Sequence, residues 1–206
     1  MKEHELHNYK LVLQYEGIRY NGWQKQKNQE NTIQEVVENA VFDGTGERAE
    51  VIGSGRTDAG THAMGQVANV KLGQDLEPER LMDNINKHLP SDIKILECEK
   101  VDNRFHARLN AKAKTYMYTL CVGKKPDVFN RRTVLHYCAD LDVDAMKKAA
   151  EYLKGEHDFM SFCSNKRTKK STVRKIYDIE IIKDGDEISF ILICTLFTGH
   201  PVRRVF

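Results

Sequence analysis

The sequence predicts an α+β fold made of two ferredoxin-like halves, with mainly antiparallel sheets and helices on one face. Three observations support this prediction. The first hundred residues alternate between strand-like and helix-like patterns in the order β-α-β-β-α-β. The second half starts the same order again. Only eleven residues follow its last predicted strand, so we expect the second half to lack its final helix and strand.

The first half contains two helices with clear end signals. Thr32 and Glu35 form a capping box ahead of apolar residues with helical spacing up to Phe42. Pro78 suits the first turn of the second helix, and Pro90 ends it. Apolar runs and alternating patterns predict strands at residues 9–15, 49–53, 66–72 and 92–101.

The second half contains strands at residues 114–122 and 133–138, followed by a helix that Asp142 caps and Gly155 stops. Two further strands, at 174–183 and 187–195, form a hairpin across Asp184 and Gly185. We place the domain boundary so that residues 1–104 and 105–206 form separate domains. The missing helix and strand would leave part of an apolar face on the last strands without cover, which predicts either self-association or disordered last residues with a poorly placed Arg203. The face is built by Ile188, Phe190, Leu192 and Cys194, with Ile179 and Ile181 as neighbours.

Composition narrows the class of protein. Hydrophobic residues make up 40% and charged residues 30%, as in soluble cytoplasmic proteins. The N-terminus MKEHELHNYK has the features of neither a signal peptide nor a transit peptide, and no apolar run is long enough to span a membrane. The five cysteines are widely spaced without a CxxC pair, so neither a zinc site nor a disulfide framework is predicted. We expect a cytoplasmic protein without a metal.

Basic residues are concentrated in two stretches. Residues 104–125 contain six Lys or Arg and no acid, with Tyr116 and Tyr118 among them. Six of the ten residues at 166–175 are basic, again without an acid. Basic stripes with aromatic side chains suit a phosphate backbone and its bases. A solvated charged face would have the same pattern, so charge alone leaves both interpretations open.

The glycine-rich loop GSGRTDAG, residues 53–60, is the strongest candidate for chemistry. A dinucleotide fingerprint would need a glycine where Asp58 stands, and a Walker A loop would need Gly-Lys where Gly60 and Thr61 stand. The loop is therefore better suited to presenting Asp58 than to cradling a phosphate. A local Asx-turn around Asp58 is the alternative.

Five ordered segments resemble the tRNA pseudouridine synthase A family. They are GSGRTDAGTHAMGQV (53–67), YEGIRYNGWQKQ (15–26), INKHLPSDI (85–93), FHARLNAKAKTYMYTL (105–120) and GEHDFMSFC (155–163). The resemblance implies isomerisation of uridine to pseudouridine in the anticodon stem-loop of tRNA, with no cofactor, by a homodimer. It also implies a C-terminally shortened member, because FTGHPVRR (197–204) replaces a segment that leads into a long helix in the family, with Pro201 where a Met is usual.

The resemblance also implies roles for individual residues. Asp58 would be the catalytic carboxylate, either as nucleophile at C1′ or as base at C2′. Tyr116 would stack on the flipped base and take the C5 proton, and Arg203 would pair with Asp58. We expect Tyr116 and Tyr118 to lie on opposite faces of their strand. RNA contacts are expected from Arg56, Arg108, Lys169 and Lys170. Two other functions remain open, a non-catalytic tRNA-binding or tRNA-folding protein and a small-molecule enzyme that uses a nucleotide.

Overall fold

The protein is described by a computed structural model that covers residues 5–28, 30–123, 128–162 and 171–195. The chain divides into two compact units, Met1–Ala111 and Lys112–Phe206. Each unit has its own sheet and its own hydrophobic core. The predicted α+β class with two mainly antiparallel sheets is confirmed. The division between the units falls after the boundary that the sequence predicts at Arg104.

The first unit has the predicted β-α-β-β-α-β order. Its sheet is antiparallel throughout, with the strand order β2-β3-β1-β4. The elements are β1 (His7–Tyr15), α1 (Ile33–Thr45), β2 (Val51–Gly53), β3 (Ala63–Leu72), α2 (Pro78–His88) and β4 (Ile93–Val101).

Alternation along β1 builds the core of this unit. Tyr9, Leu11 and Leu13 are fully buried and pack in one cluster with apolar residues of both helices, so the helices cover the same face of the sheet. The predicted cap of α1 is present, because the Thr32 hydroxyl accepts a hydrogen bond from the Glu35 amide at 3.4 Å.

A pair of buried asparagines lies on the opposite face of this sheet, because Asn8 alternates with Tyr9 along β1 and Asn69 is paired with Lys10. Asn8 and Asn69 are 0% and 1% exposed, and the Asn69 amide donates to Asn8 Oδ1 at 3.1 Å. Asn8 Nδ2 also donates to the carbonyl of Phe105 at 2.9 Å. Asn69 Oδ1 in turn accepts the amide of Ala107 at 2.9 Å. The pair therefore fixes the segment that follows β4 to the sheet, since buried polar groups need partners.

The second unit has a five-stranded sheet in the order β6-β5-β9-β8-β7. The short β6 runs parallel to β5, and the other neighbours are antiparallel. The elements are β5 (Lys114–Val122), β6 (Leu135–Tyr137), α3 (Val143–Glu151), β7 (Gly155–Asp158), β8 (Val173–Asp184) and β9 (Glu187–Cys194).

Two details of the second unit differ from the sequence-based expectation. The helix capped by Asp142 ends at Glu151, and Gly155 opens the unpredicted strand β7 instead of stopping the helix. Tyr116 and Tyr118 lie on the same face of β5, opposite Leu192 and Phe190 of β9. The expectation of opposite faces is wrong because successive side chains alternate, so residues two apart share a face.

The apolar face expected to lack a cover is buried. Ile179, Ile181, Ile188, Phe190, Leu192 and Cys194 are each at most 8% exposed. The prediction that part of this face lacks a cover is therefore wrong. Exposed apolar side chains lie on the opposite face of this sheet, where Met117 is 57% and Ile182 is 42% exposed. None of the helices in the described ranges has the length and apolar character needed to cross a bilayer.

Candidate active-site loop and adjoining pocket

The loop that carries Asp58 connects β2 to β3 in the first unit. Its first residues are tied to β3, because the Ser54 amide donates to the Val67 carbonyl at 2.7 Å. Gln66 Nε2 donates to the Gly55 carbonyl at 2.6 Å. Farther along, the Thr61 amide donates to the Asp58 carbonyl at 3.1 Å and closes a turn. The loop is thus held by β3 at its start and by an internal turn near its end.

A second segment, residues 15–23, braces the middle of the loop. The Trp23 amide donates to the Thr57 carbonyl at 3.0 Å, and the Gly60 amide donates to the Tyr20 carbonyl at 3.3 Å. The Tyr15 hydroxyl and Thr57 Oγ1 share a hydrogen bond of 2.9 Å. Burial raises the pKa of Tyr15 to about 12 despite the opposing effect of that bond, so the hydroxyl stays protonated near neutral pH.

Glycines allow the two segments to touch. A Cβ on Gly17 would stand 1.9 Å from the Thr61 carbonyl oxygen, and a Cβ on Gly22 would stand 2.5 Å from that of Thr57. Gly22 also has a φ of +83°, which side chains rarely adopt. Only glycine therefore fits at these two positions without moving the loop.

The bracing segment is itself anchored at the start of β4. Asp92 accepts hydrogen bonds from the Tyr20 hydroxyl at 2.7 Å and from Arg19 Nε at 2.7 Å. Burial alone would raise the pKa of Asp92, but the bonds from Tyr20 and Arg19 outweigh it and hold this pKa below its usual value. Burial, and then the bond with Asp92, raise the pKa of Tyr20 to about 12. The anchor is therefore an ionised carboxylate with two donors.

Asp58 is exposed at the surface of this braced loop, and Arg56 is also exposed. Thr57 between them is half-buried and carries the contacts to Tyr15 and Trp23. The loop fixes its backbone through the residue next to Asp58, so the carboxylate projects from a rigid support. This arrangement suits a group that must be held in place against a bound substrate.

A polar pocket of about 380 Å³ adjoins the loop within the first unit. Its polar lining comes from the residue after the bracing segment, from α1, from the residue before β2, from the loop itself and from the segment after β4. These side chains are Gln24, Gln34, Glu50, Arg56, His106 and Arg108. Two of the four predicted RNA-binding residues, Arg56 and Arg108, thus line one pocket.

The remaining predicted site residues lie elsewhere. Tyr116 lies on β5 in the second unit, half-buried against that unit's core. Lys169, Lys170 and Arg203 lie outside the described residues. Among the residues that the structure describes, no group of three or more His, Cys, Asp or Glu side chains is arranged to hold a metal ion.

Sequence reasoning missed the side chains that support the loop and the pocket. The sequence assigns Tyr15 to a strand and to the segment at residues 15–26, and it assigns Gln24 to that segment, without a supporting role for either. Gln34 could have been found from the sequence, because helical spacing places it on the same side of α1 as Val37 and Val41. In the structure, Gln34 is only 4% exposed. A glutamine on the buried side of a helix indicates a hydrogen-bonding role.

Comparison with known proteins identifies the family. The model of a family described as tRNA pseudouridine synthase matches residues 11–110 and 149–206. The chain is 44% identical over 201 residues to tRNA pseudouridine synthase A of Bacillus sp. (strain KSM-64). It is 40% identical over 200 residues to tRNA pseudouridine synthase A 2 of Bacillus cereus (strain ATCC 10987 / NRS 248) and to tRNA pseudouridine synthase A of Acetivibrio thermocellus. Each alignment covers 97% of this chain and 82% of the relative.

The matched regions contain the β2–β3 loop, the bracing segment and the pocket residues described above. Pseudouridine synthases are isomerases. This chain belongs to the tRNA pseudouridine synthase family.

Proposed function

We propose that the protein isomerises uridine to pseudouridine in the anticodon stem-loop of tRNA, with Asp58 as the catalytic carboxylate. The main structural support is that Asp58 is exposed on a loop whose backbone is fixed by hydrogen bonds with Tyr15, Tyr20 and Trp23. Family membership supplies the reaction and the class of substrate.

The reaction needs a carboxylate at a fixed position beside the ribose. The bond from N1 to C1′ breaks, the base turns, and a bond forms from C5 to C1′. C5 loses a proton and N1 gains one, so the product is an isomer of the substrate. A carboxylate can attack C1′ as a nucleophile or remove a proton from C2′ as a base. Both roles require a carboxylate held close to the ribose, and the braced loop supports this role for Asp58.

Two further residues are proposed on the family resemblance. Tyr116 is the candidate to stack on the detached base and to take the C5 proton. Arg203 is the candidate cation that assists Asp58. Lys169 and Lys170, with Arg56 and Arg108, are proposed to contact tRNA phosphates.

The test is replacement of Asp58 by Asn, assayed on an unmodified tRNA transcript with chemical mapping of pseudouridine. The change removes the carboxylate, so product should disappear. It keeps the shape of the side chain, so tRNA affinity should stay near that of the wild type. Asp83→Asn is the matched control, because Asp83 is an exposed aspartate on α2 in the same unit. Activity of Asp58→Asn within about tenfold of wild type, or about 1.4 kcal/mol in the barrier, would refute the assignment.

The same assay tests the other functions left open by the sequence. Binding of tRNA by the wild type without product would favour a tRNA-binding or tRNA-folding protein. Neither binding nor product would favour a small-molecule enzyme.

We also propose that the protein acts in the cytoplasm as a homodimer. The exposed face of the second sheet supports self-association, because Met117 and Ile182 lie there beside the half-buried Ile191 and Ile193. Covering such a face with a second copy removes apolar area from water. Sedimentation of the 206-residue chain at micromolar concentration should give the dimer, and a monomer with full activity would contradict this assignment.

A further inference from the structure

We infer that the pocket beside the loop receives one backbone phosphate of the RNA, and that Gln24 and Gln34 are positioning residues that aim Arg56 into it. This inference rests on the proposed function, since it takes tRNA as the ligand. It assigns a place to the phosphate and a role to two amides that the family comparison leaves without one.

Arg56 is attached to helix α1 by a chain of hydrogen bonds. Arg56 Nε donates to Gln24 Oε1 at 3.2 Å. Gln24 Nε2 donates to Gln34 Oε1 at 2.7 Å. Gln34 Nε2 donates to Glu38 Oε1 at 2.9 Å. Each amide accepts at its oxygen and donates at its nitrogen, so the chain allows only one orientation of both amides.

The far end of the chain is fixed to rigid elements. Glu38 Oε1 also accepts the backbone amide of Val51, the first residue of β2, at 3.2 Å. Glu38 Oε2 accepts Lys25 Nζ at 3.1 Å, and the Lys25 amide donates to Gln34 Oε1 at 3.0 Å. The position of Arg56 is therefore set by α1 and β2 and not by the loop alone.

Among the residues that the structure describes, this chain of bonds engages the Arg56 guanidinium through Nε alone, so its two terminal nitrogens can bind a ligand. A guanidinium carries five N–H donors in a fixed plane, four of them on those two nitrogens. Two parallel N–H groups match two oxygens of a phosphate. Holding Nε thus orients the phosphate-binding edge of Arg56.

Arg108 lines the same pocket from the segment that the asparagine pair holds. Its neighbour Ala107 donates to the buried Asn69, and the Arg108 amide donates to His106 Nδ1 at 3.2 Å. Both arginines therefore belong to braced backbone. Preorganised donors bind an anion better than flexible ones because less side-chain entropy is lost on binding.

The lining selects an anion that also carries hydroxyl groups. Two arginines exceed the single carboxylate among the lining residues, Glu50, so the pocket favours a negatively charged ligand. Its volume of about 380 Å³ leaves room for the attached sugar. Glu50 can accept a hydrogen bond from a ribose 2′-hydroxyl, which RNA provides at each nucleotide. A phosphate with its ribose satisfies both features.

The test compares the salt dependence of tRNA binding for the full chain and its variants. Arg56→Ala and Arg108→Ala should each lower the log–log slope by about 0.7 to 0.9, the loss of one phosphate contact. Gln24→Leu should lower the slope in the same direction. In the Arg56→Ala background, Gln24→Leu should add nothing, because its effect passes through Arg56. Gln74→Leu is the control, since Gln74 is an exposed amide that donates to the Thr45 carbonyl at 2.9 Å.

A merely structural role for Gln24 would make its effect additive with Arg56→Ala, and that result would overturn the positioning role. If Gln24→Leu does not fold, Gln24→Met takes its place in the same cycle. An unchanged slope for both arginine variants would overturn the phosphate pocket.

Mapping pseudouridine in the same samples separates the two proposals. Salt-dependent wild-type binding without product contradicts the proposed function but leaves the pocket standing, and wild-type binding without salt dependence overturns the pocket.

Discussion

Replacing Gly22 by Ala tests whether the bracing segment controls the catalytic loop. The new Cβ would stand 2.5 Å from the Thr57 carbonyl oxygen and 3.1 Å from the carbonyl carbon of Asp58. Carbon and oxygen atoms do not approach this closely, so the two backbones must separate by at least about 0.5 Å. The displaced atoms belong to the residues that hold and carry the proposed carboxylate.

The expected losses follow from the contacts. A left-handed backbone with a side chain costs about 1 kcal/mol. Loss of the hydrogen bond from Trp23 to Thr57 costs about 1 kcal/mol more, so the free energy of unfolding should fall by about 2 kcal/mol. A misplacement of about 1 Å at a reacting group can cost about 100-fold in rate, so a shift of half that size should slow turnover at least about tenfold.

Gly46→Ala separates the strain from the contact. Gly46 follows α1 with a φ of +77°, and no heavy atom of the described residues lies within 4 Å of the Cβ that alanine would add there. This variant should lose about 1 kcal/mol of stability and keep full activity. Urea unfolding and single-turnover pseudouridine formation measure the two effects. Equal stability and equal activity for the Gly22 and Gly46 variants would refute the bracing role.

Three further predictions concern other residues. Tyr116→Phe should slow turnover more than it weakens binding of tRNA, and an unchanged rate would leave stacking as the only role of this ring. Replacing Lys169 and Lys170 by Ala should flatten the salt dependence of tRNA binding without changing which uridine is modified, and an unchanged slope would show that they do not contact RNA. Asp92 has a lowered pKa in the folded protein, so its stabilising contribution is present above its usual value of 3.8 and is lost as the pH falls through the lower folded value. Asp92→Asn should therefore weaken the acid dependence of unfolding below about pH 4, and an unchanged dependence would contradict the anchor.

Local signals predicted the helices of the first unit well. The capping residues Thr32 and Glu35 and the proline at position 78 act within one turn, so the sequence carries their effect directly. The residues after α3 were harder to predict. Gly155 was predicted to stop the helix, but it is the first residue of β7. This strand forms because it pairs with β8, where Gly155 lies opposite Ile176. Such pairing depends on residues far along the chain, which no local pattern shows.

In the candidate site, too, local features could be predicted from the sequence and contacts between distant residues could not. The glycine-rich loop was recognisable because its residues are consecutive. Its support was not, since Tyr15 reaches Thr57 across 42 positions. Gln24 and Gln34 meet because the Gln34 amide donates to the Trp23 carbonyl at 3.0 Å, which fixes the start of α1 to the bracing segment. The buried asparagines Asn8 and Asn69, 61 positions apart, form another such pair. Partners of this kind are fixed by the tertiary structure and have no periodicity of their own.

The contact between the bracing segment and the loop also limits how this region can change in evolution. Gly17 touches the loop at Thr61 and Gly22 touches it at Thr57, so the two segments are matched in length at two points. An insertion or deletion in either segment would break one contact while keeping the other. Homologous sequences should therefore keep both lengths constant, and loop grafting between relatives should succeed only when both segments are exchanged together.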